Sequence, residues 1–261
     1  MLARLVLLAS NQRVKCGLII FNTIMEGVKV NALMLRAADY LENDKILTLL
    51  TAERGKLTAG IKGVKKAGAK LKFAAQPFCF AEYILAERGG RYTVTQASEC
   101  ESFYELRTDV NKFYAASAVC ETALALTYEG ADTELFYDCV KALSEMCQGD
   151  ESVALIGFLL TALRKAGYGV NTGTCPTCGE ALAGKDKLRF IMDTGCFTCW
   201  DCSNGVGASG ITYDVLRAAD GHSGAPITLE GTKRALKLLN EYLIYKTDAK
   251  CLSLTEYIKL I

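Results

Sequence analysis

Histidine is nearly missing from this chain, tryptophan occurs once, and the formal net charge is only +1 over 261 residues. Each shortage removes something. His222 is the single imidazole, set between Gly221 and Ser223–Gly224 with no matched nucleophile pattern, so no hydrolase triad assembles and His222 reads as a loop residue. No acid/His metal motif exists either. No apolar run is long enough to cross a bilayer: LVLLA near the start is short and leads into polar NQRVK. Residues 1–24 lack a convincing signal-cleavage site, and they read as an extension preceding the working start, with Met25 as an alternative first residue. There is no internal repeat and no low-complexity linker. Phosphate loops are lacking too. Gly179 to Lys185 has most of the spacing but ends in Asp186, and Gly63 to Lys70 lacks the Gly-Lys-Ser/Thr ending.

What is present is unevenly spread. Residues 54–81 hold seven bases and no acid, whereas residues 97–151 hold twelve acids against Arg107, Lys112 and Lys141. The two blocks cancel in the total but predict one positive face. Of the twelve cysteines, Cys79, Cys100, Cys120, Cys139, Cys147 and Cys251 lie singly in apolar patterns, as reduced thiols that pack like small hydrophobes. That usage predicts a reducing, cytoplasmic compartment.

From Val28 to Ala97 the pattern predicts five short strands: VKVNALMLRAADY, KILTLLTA, KLTAGIKGV, FCFAEYILAE and RYTVTQA. Five antiparallel strands in so short a span predict a small closed barrel of the OB type, with an SH3-like barrel as runner-up. The segment Arg54–Phe80 reads as a β-hairpin with Leu57, Ala59 and Ile61 on a buried face and a loose cationic tip. Phe73, Phe78, Phe80, Tyr83 and Tyr92 are candidates for stacking on bases, although strand aromatics are more often core. Helices are predicted over 109–129, 133–147, 153–164, 211–219, 228–247 and 253–261, punctuated by Gly130 and Gly149. VALIGFLLTALR is apolar nearly all round and should be the central helix of a bundle, capped by Asp150 or Glu151 and ended by Gly167. Barrel and bundle should pack together.

CPTCG at 175–179 and CFTCWDC at 196–202 give two C-x-x-C knuckles, whose usual occupant is zinc, with an iron–sulfur centre or an empty reduced site as alternatives. Five cysteines compete for four places. Cys175, Cys178, Cys199 and Cys202 are taken as the set, and Cys196 is the alternative. Four thiolates leave no open position, so such a site is a structural clip rather than a catalyst. Trp200, between the knuckles, reads as a packing residue.

The stretches DKILTLLTAERGKLTAGIKGVKK (44–66), LKFAAQPF (71–78) and LMLRAADYLENDK (33–45) resemble the N-terminal barrel of the bacterial recombination mediators of the RecO family. GFLLTALRKAGYGVNTGTCPTCGEAL (157–182) and the following GCFTCWDC resemble that family's helix and zinc module, so the likeness runs from about Asn31 to about Leu252. The resemblance implies an α+β fold: an OB-fold β-barrel packed on an α-helical bundle that carries a four-cysteine zinc module. It implies a non-enzymatic mediator that binds single- and double-stranded DNA and anneals complementary strands. Such a mediator helps the RecA recombinase displace single-strand-binding protein (SSB). Implied partners are the acidic SSB tail, RecR, and RecF through RecR, in a cytoplasmic, nucleoid-associated protein. Carried over by position, the DNA-binding residues are Arg36, Lys56, Lys62, Lys65, Lys66, Lys70 and Lys72, and the zinc ligands are Cys175, Cys178, Cys199 and Cys202. The family loop often has Pro and Ser where this chain has Ala67 and Ala69, which predicts a floppier loop. Cys196 stands where the family usually has glycine.

The expected organisation is an extension at 1–27, a DNA-binding barrel at 28–103, a helical domain at 104–173, the zinc module at 174–203 and C-terminal helices at 204–261. Arg164 and Lys165 are the cations expected to help receive an acidic tail. Two other function classes are weighed. A zinc-dependent hydrolase or transferase needs an open metal position and a base, and neither is visible. An RNA-binding or ribosome-associated barrel with a zinc ribbon is allowed by charge and fold and opposed only by the resemblance.

Overall fold

A computed structural model describes residues 27–127, 133–222 and 227–261. The expected N-terminal extension up to residue 26 and the turn at Gly130 lie outside these.

Five strands, β1 (Val28–Tyr40), β2 (Asp44–Thr51), β3 (Gly55–Ile61), β4 (Phe80–Arg88) and β5 (Arg91–Glu101), close into a barrel of order β1-β2-β3-β5-β4. All pairings are antiparallel except β3 with β5, which is parallel. This is the OB-type barrel that the strand pattern predicts. The two-residue period carries it: Val30, Ala32, Leu47, Leu49, Ala59 and Ile61 alternate inward and are buried. At Leu35 a register shift between Met34 and Arg36 puts an extra residue into β1, so that Leu35 is buried against the helices while Arg36 remains in solvent.

The hairpin reading of Arg54–Phe80 is wrong. β3 and β4 do not pair, because β5 lies between them. Alternation reports which face is buried, not which strand is the neighbour, and closing the barrel sends residues 62–79 across its end. Nor is this connection loose. Successive turns bond Lys66 N to Gly63 O (3.2 Å), Ala69 N to Lys66 O (3.1 Å) and Lys72 N to Ala69 O (3.2 Å). Val64, Ala74 and Ala75 are buried, and Tyr83 Oη donates to Ala74 O at 2.9 Å. The β1–β2 turn holds the near end, through Gly63 N to Asp44 Oδ1 at 2.7 Å and Lys65 N to Asn43 O at 3.1 Å.

A short 3-10 turn leads into α1 (Val110–Leu126), α2 (Thr133–Gln148) and α3 (Glu151–Lys165). α3 is the central helix: Leu155, Ile156, Phe158, Leu159, Leu160 and Leu163 are all buried. Asp150 caps it by accepting from Ser152 N and Val153 N. Gly167 follows its end at φ +83, with Gly167 N bonded to Arg164 O and Tyr168 N to Leu163 O. That closure needs a left-handed residue, which glycine supplies without strain. A small sheet of β6 (Lys187–Ile191), β7 (Cys196–Cys199) and β8 (Val206–Ser209), ordered β7-β6-β8, carries the cysteines. Helices α4 (Gly210–Ala219), α5 (Leu229–Thr247) and α6 (Leu252–Leu260) complete the chain. Barrel and helices share a core. Leu33, Leu35, Leu50 and Phe78 leave the barrel for the helical cluster, and Phe80 meets Phe136 edge-on at 5.6 Å between ring centres. Full burial of such side chains stabilises by roughly 1.5–3 kcal/mol each.

Candidate nucleic-acid interface and metal centre

Cross-strand partners share a face, so the register gives the outer surface of β1–β2–β3 row by row. Leu33 and Leu50, covered by the helices, form a row with the exposed Lys56; Arg36, Thr48 and Thr58 form the next; then come Ala38, Ile46 and Gly60; Tyr40 and Asp44 end the face. Continuing β3 one step beyond the Lys45–Ile61 pair brings Lys62 beside Asp44. The result is a floor of small side chains with cations at both ends.

The seven expected cations do not share one state. Lys56 Nζ donates to Thr127 O at 3.3 Å, at the carboxyl end of α1, so it joins the two halves of the protein. Lys65 pairs with Asp39 at 2.9 Å, and Lys45 stands 3.9 Å from the same carboxylate. The Lys65 hydrogen bond, then its charge, holds the Asp39 carboxyl below its ordinary value. Arg36, Lys62, Lys66, Lys70 and Lys72 are exposed and have no ion-pair partner among the described residues. Lys62 and Lys66 border one recess with Leu41, Glu42, Asn43 and Asp44 of the β1–β2 turn.

Most of the stacking candidates are not on offer. Tyr83 and Phe78 are buried, Phe78 against Phe113 at 5.5 Å, and Phe80 faces the helices. Phe73 and Tyr92 are half-buried against the barrel core. Trp200 is 39% exposed and lies under the Arg189 guanidinium, 3.7 Å from the ring centre. Arg164 and Lys165 are engaged as well: Arg164 pairs with Asp220, and Lys165 with Asp138 at 2.7 Å and Glu134 at 3.0 Å. The expectation that they receive an acidic tail meets a site already neutralised by the protein's own carboxylates.

The sulfurs of Cys175, Cys178, Cys199 and Cys202 all lie within 4.8 Å of one another, with Cys178 and Cys199 3.6 Å apart. Four thiolates about 2.3 Å from a tetrahedral ion would stand about 3.8 Å apart, so the donor set fits a metal ion. Cys196 is not in the group; its thiol is directed at Thr194 O, 3.6 Å away. The reason is local. Cys196 and Cys199 are the ends of β7, and three steps along a strand put side chains on opposite faces. Cys202 N bonds back to Cys199 O at 3.1 Å, a turn that brings those two sulfurs together. Burial works to raise the Cys175 pKa, but N–H groups of Cys199, Cys178 and Thr177 bring it down to about 6. Burial and the bonded sulfurs push Cys199 up to about 11, and the Cys178 hydrogen bond and burial push Cys202 up to about 12. The protein's own groups thus favour the thiolate at Cys175 and disfavour it at Cys199 and Cys202, where a bound cation would favour it.

These features define a class: a cation-faced OB-type barrel fused to a helical bundle that carries a knuckle of four thiols fit for a metal ion. The family models described as Recombination protein O N terminal and Recombination protein O C terminal match residues 25–103 and 107–254. A protein of Clostridium novyi named DNA repair protein RecO is 32% identical over 194 residues, covering 72% of this chain and 75% of that one. Proteins of the same name from Pelotomaculum thermopropionicum and Anaeromyxobacter sp. are each 32% identical, covering 86% and 84% of this chain and 91% of theirs. The chain belongs to the RecO family.

Proposed function

We propose that this protein is a non-enzymatic recombination mediator in DNA repair, one that binds single- and double-stranded DNA, anneals complementary strands and assists RecA loading on SSB-coated DNA. The observation that carries the reading is the set of exposed cations Arg36, Lys62, Lys66, Lys70 and Lys72 on the barrel, without an ion-pair partner among the described residues. Lysines act as point charges on flexible stems and neutralise phosphates without reading sequence. Annealing follows from the same charges, since two strands held on one cationic surface no longer repel each other freely. Zinc, held by Cys175, Cys178, Cys199 and Cys202, braces the helical half and takes no part in chemistry. The proposed partners are the SSB tail, RecR, and RecF through RecR, in the cytoplasm.

Purified protein titrated with an oligonucleotide across salt, followed by strand annealing without nucleotide and metal analysis of the same sample, tests the reading. Expected are tighter binding at low salt, annealing without ATP and about one zinc per chain. Absence of binding at low salt, or annealing that requires ATP, refutes it. Preference for RNA over DNA of equal sequence would move the assignment to the RNA-binding class.

A further inference from the structure

The lysines do not account for the tip of the β1–β2 turn. Tyr40, the last residue of β1, is 51% exposed, and Leu41 after it is 72% exposed with a left-handed φ of 51°. No ring contact and no side-chain hydrogen bond of Tyr40 occurs among the described residues. The stacking candidates Phe73, Phe78, Phe80, Tyr83 and Tyr92 behave differently, since each is buried or half-buried. The register puts Tyr40 in one row with Asp44, and with Lys62 one step further across the sheet, while Leu41 borders the recess that Lys62 and Lys66 line. A flat ring, without a ring contact or side-chain hydrogen bond among the described residues, therefore stands in one row with Lys62, with Asp44, whose carboxylate accepts from Gly63 N, between them, at the mouth of a floor built from Ala38, Ile46 and Gly60.

We infer that Tyr40 is a stacking platform for an unpaired nucleobase, with the phosphates of the same strand held by Lys62 and Lys66. The inference rests on the DNA-binding reading above and adds a distinction to it. Phosphates are reachable in a duplex as well as in a single strand, but a base face is reachable only where the base is unpaired. Tyr40 then confers preference for single strands on a surface whose lysines take both forms. Stacking is tolerant of sequence, because every base has a π-face, so the preference carries no base code.

The test compares Tyr40→Ala and Tyr40→Phe with the native protein on a thymidine oligonucleotide and on a duplex, at one salt concentration. Expected for Tyr40→Ala is a loss of roughly five- to 150-fold on the single strand, with duplex affinity unchanged. Tyr40→Phe, which keeps the ring, stays within about twofold on both. A Tyr40→Trp variant adds a direct readout, because stacking quenches its fluorescence on oligonucleotide addition beyond any change from Trp200. Equal loss on both DNA forms, or no loss on the single strand, overturns the proposal; the latter is also the result if the tip serves a protein partner. Lys62→Gln with Lys66→Gln separates the two levels of the argument. Weakened binding of both forms by that pair, with Tyr40→Ala silent, removes the stacking role and leaves the DNA-binding reading standing. A native protein that binds neither form removes both.

Discussion

Neutralising two lysines at a time discriminates between cations that face solvent and cations that the fold has already engaged. Arg36, Lys62, Lys66, Lys70 and Lys72 have no carboxylate partner among the described residues, whereas Lys65 sits 2.9 Å from Asp39 and Lys56 3.3 Å from Thr127 O. Each phosphate neutralised on a single strand contributes about −0.7 to the slope of log affinity against log salt, so five free cations give at most about −3.5. Between 50 and 200 mM salt that slope is a loss of about 130-fold. Lys62→Gln with Lys66→Gln should reduce the slope to about −2.1 and the loss to about 18-fold. Lys56→Gln with Lys65→Gln, equal in formal charge, should leave the slope near −3.5. Its effect should appear instead in denaturant unfolding, since Lys56 at the carboxyl end of α1 contributes roughly 0.3–1 kcal/mol. Fluorescence anisotropy on a thymidine oligonucleotide, at four or more salt concentrations, reads the slopes. If the two double variants give the same slope, the division into free and engaged cations is wrong.

Removing the carboxylate should act in the opposite direction: Asp39→Asn frees Lys65 and steepens the slope by about 0.7, read in the same titration. The pH dependence has the matching sign. The Asp39 pKa is depressed below 3.8, so the pairing is complete above that value and is lost as pH falls through the folded pKa, and Lys65 is then released. Metal analysis should find the ion lost in Cys202→Ser and retained in Cys196→Ser, because only the former sulfur lies within 4.8 Å of the other three. Asp150→Ala removes the acceptor for Ser152 N and Val153 N and should cost about 1 kcal/mol in denaturant unfolding. Gly167→Ala, at φ +83, should destabilise by roughly 1–2 kcal/mol in the same assay.

The elements themselves were legible because each writes its period locally. Alternation over Lys56 to Ile61 and the all-round apolar run at 153–164 announce a strand and a buried helix without reference to the rest of the chain. Neighbour relations do not. That β5 lies beside β3, parallel to it, is a property of closure, and no pattern inside residues 54–80 records it. The metal set was legible down to one ambiguity. It persisted because a four-residue strand such as β7 is too short to show its alternation, and with it the opposed directions of Cys196 and Cys199. Tyr40 escaped for a related reason: the stacking candidates all lie at or beyond Phe73, whereas the ring that shares a row with Asp44 and Lys62 comes from β1, ahead of the basic segment.

Charge shows most sharply what folding adds. Seven bases without an acid between 54 and 81 promise a uniformly positive face, yet Asp39, 26 residues before Lys65, takes one of them, and a helix end takes Lys56. The same subtraction acts on the acidic half, where Glu134, Asp138 and Asp220 engage Lys165 and Arg164, the cations proposed for a partner's tail. A run of like charges in a sequence counts the cations available, and the field outside the molecule comes from those left over after long-range pairing. The remainder here is concentrated on Arg36 and the connection from Lys62 to Lys72, at the end of the barrel where the Tyr40 ring is uncovered. On the proposed reading, a phosphate backbone approaching that end of the barrel meets its counter-charges and a stacking surface together, while in the helical half Glu134, Asp138 and Asp220 are engaged by the protein's own Lys165 and Arg164.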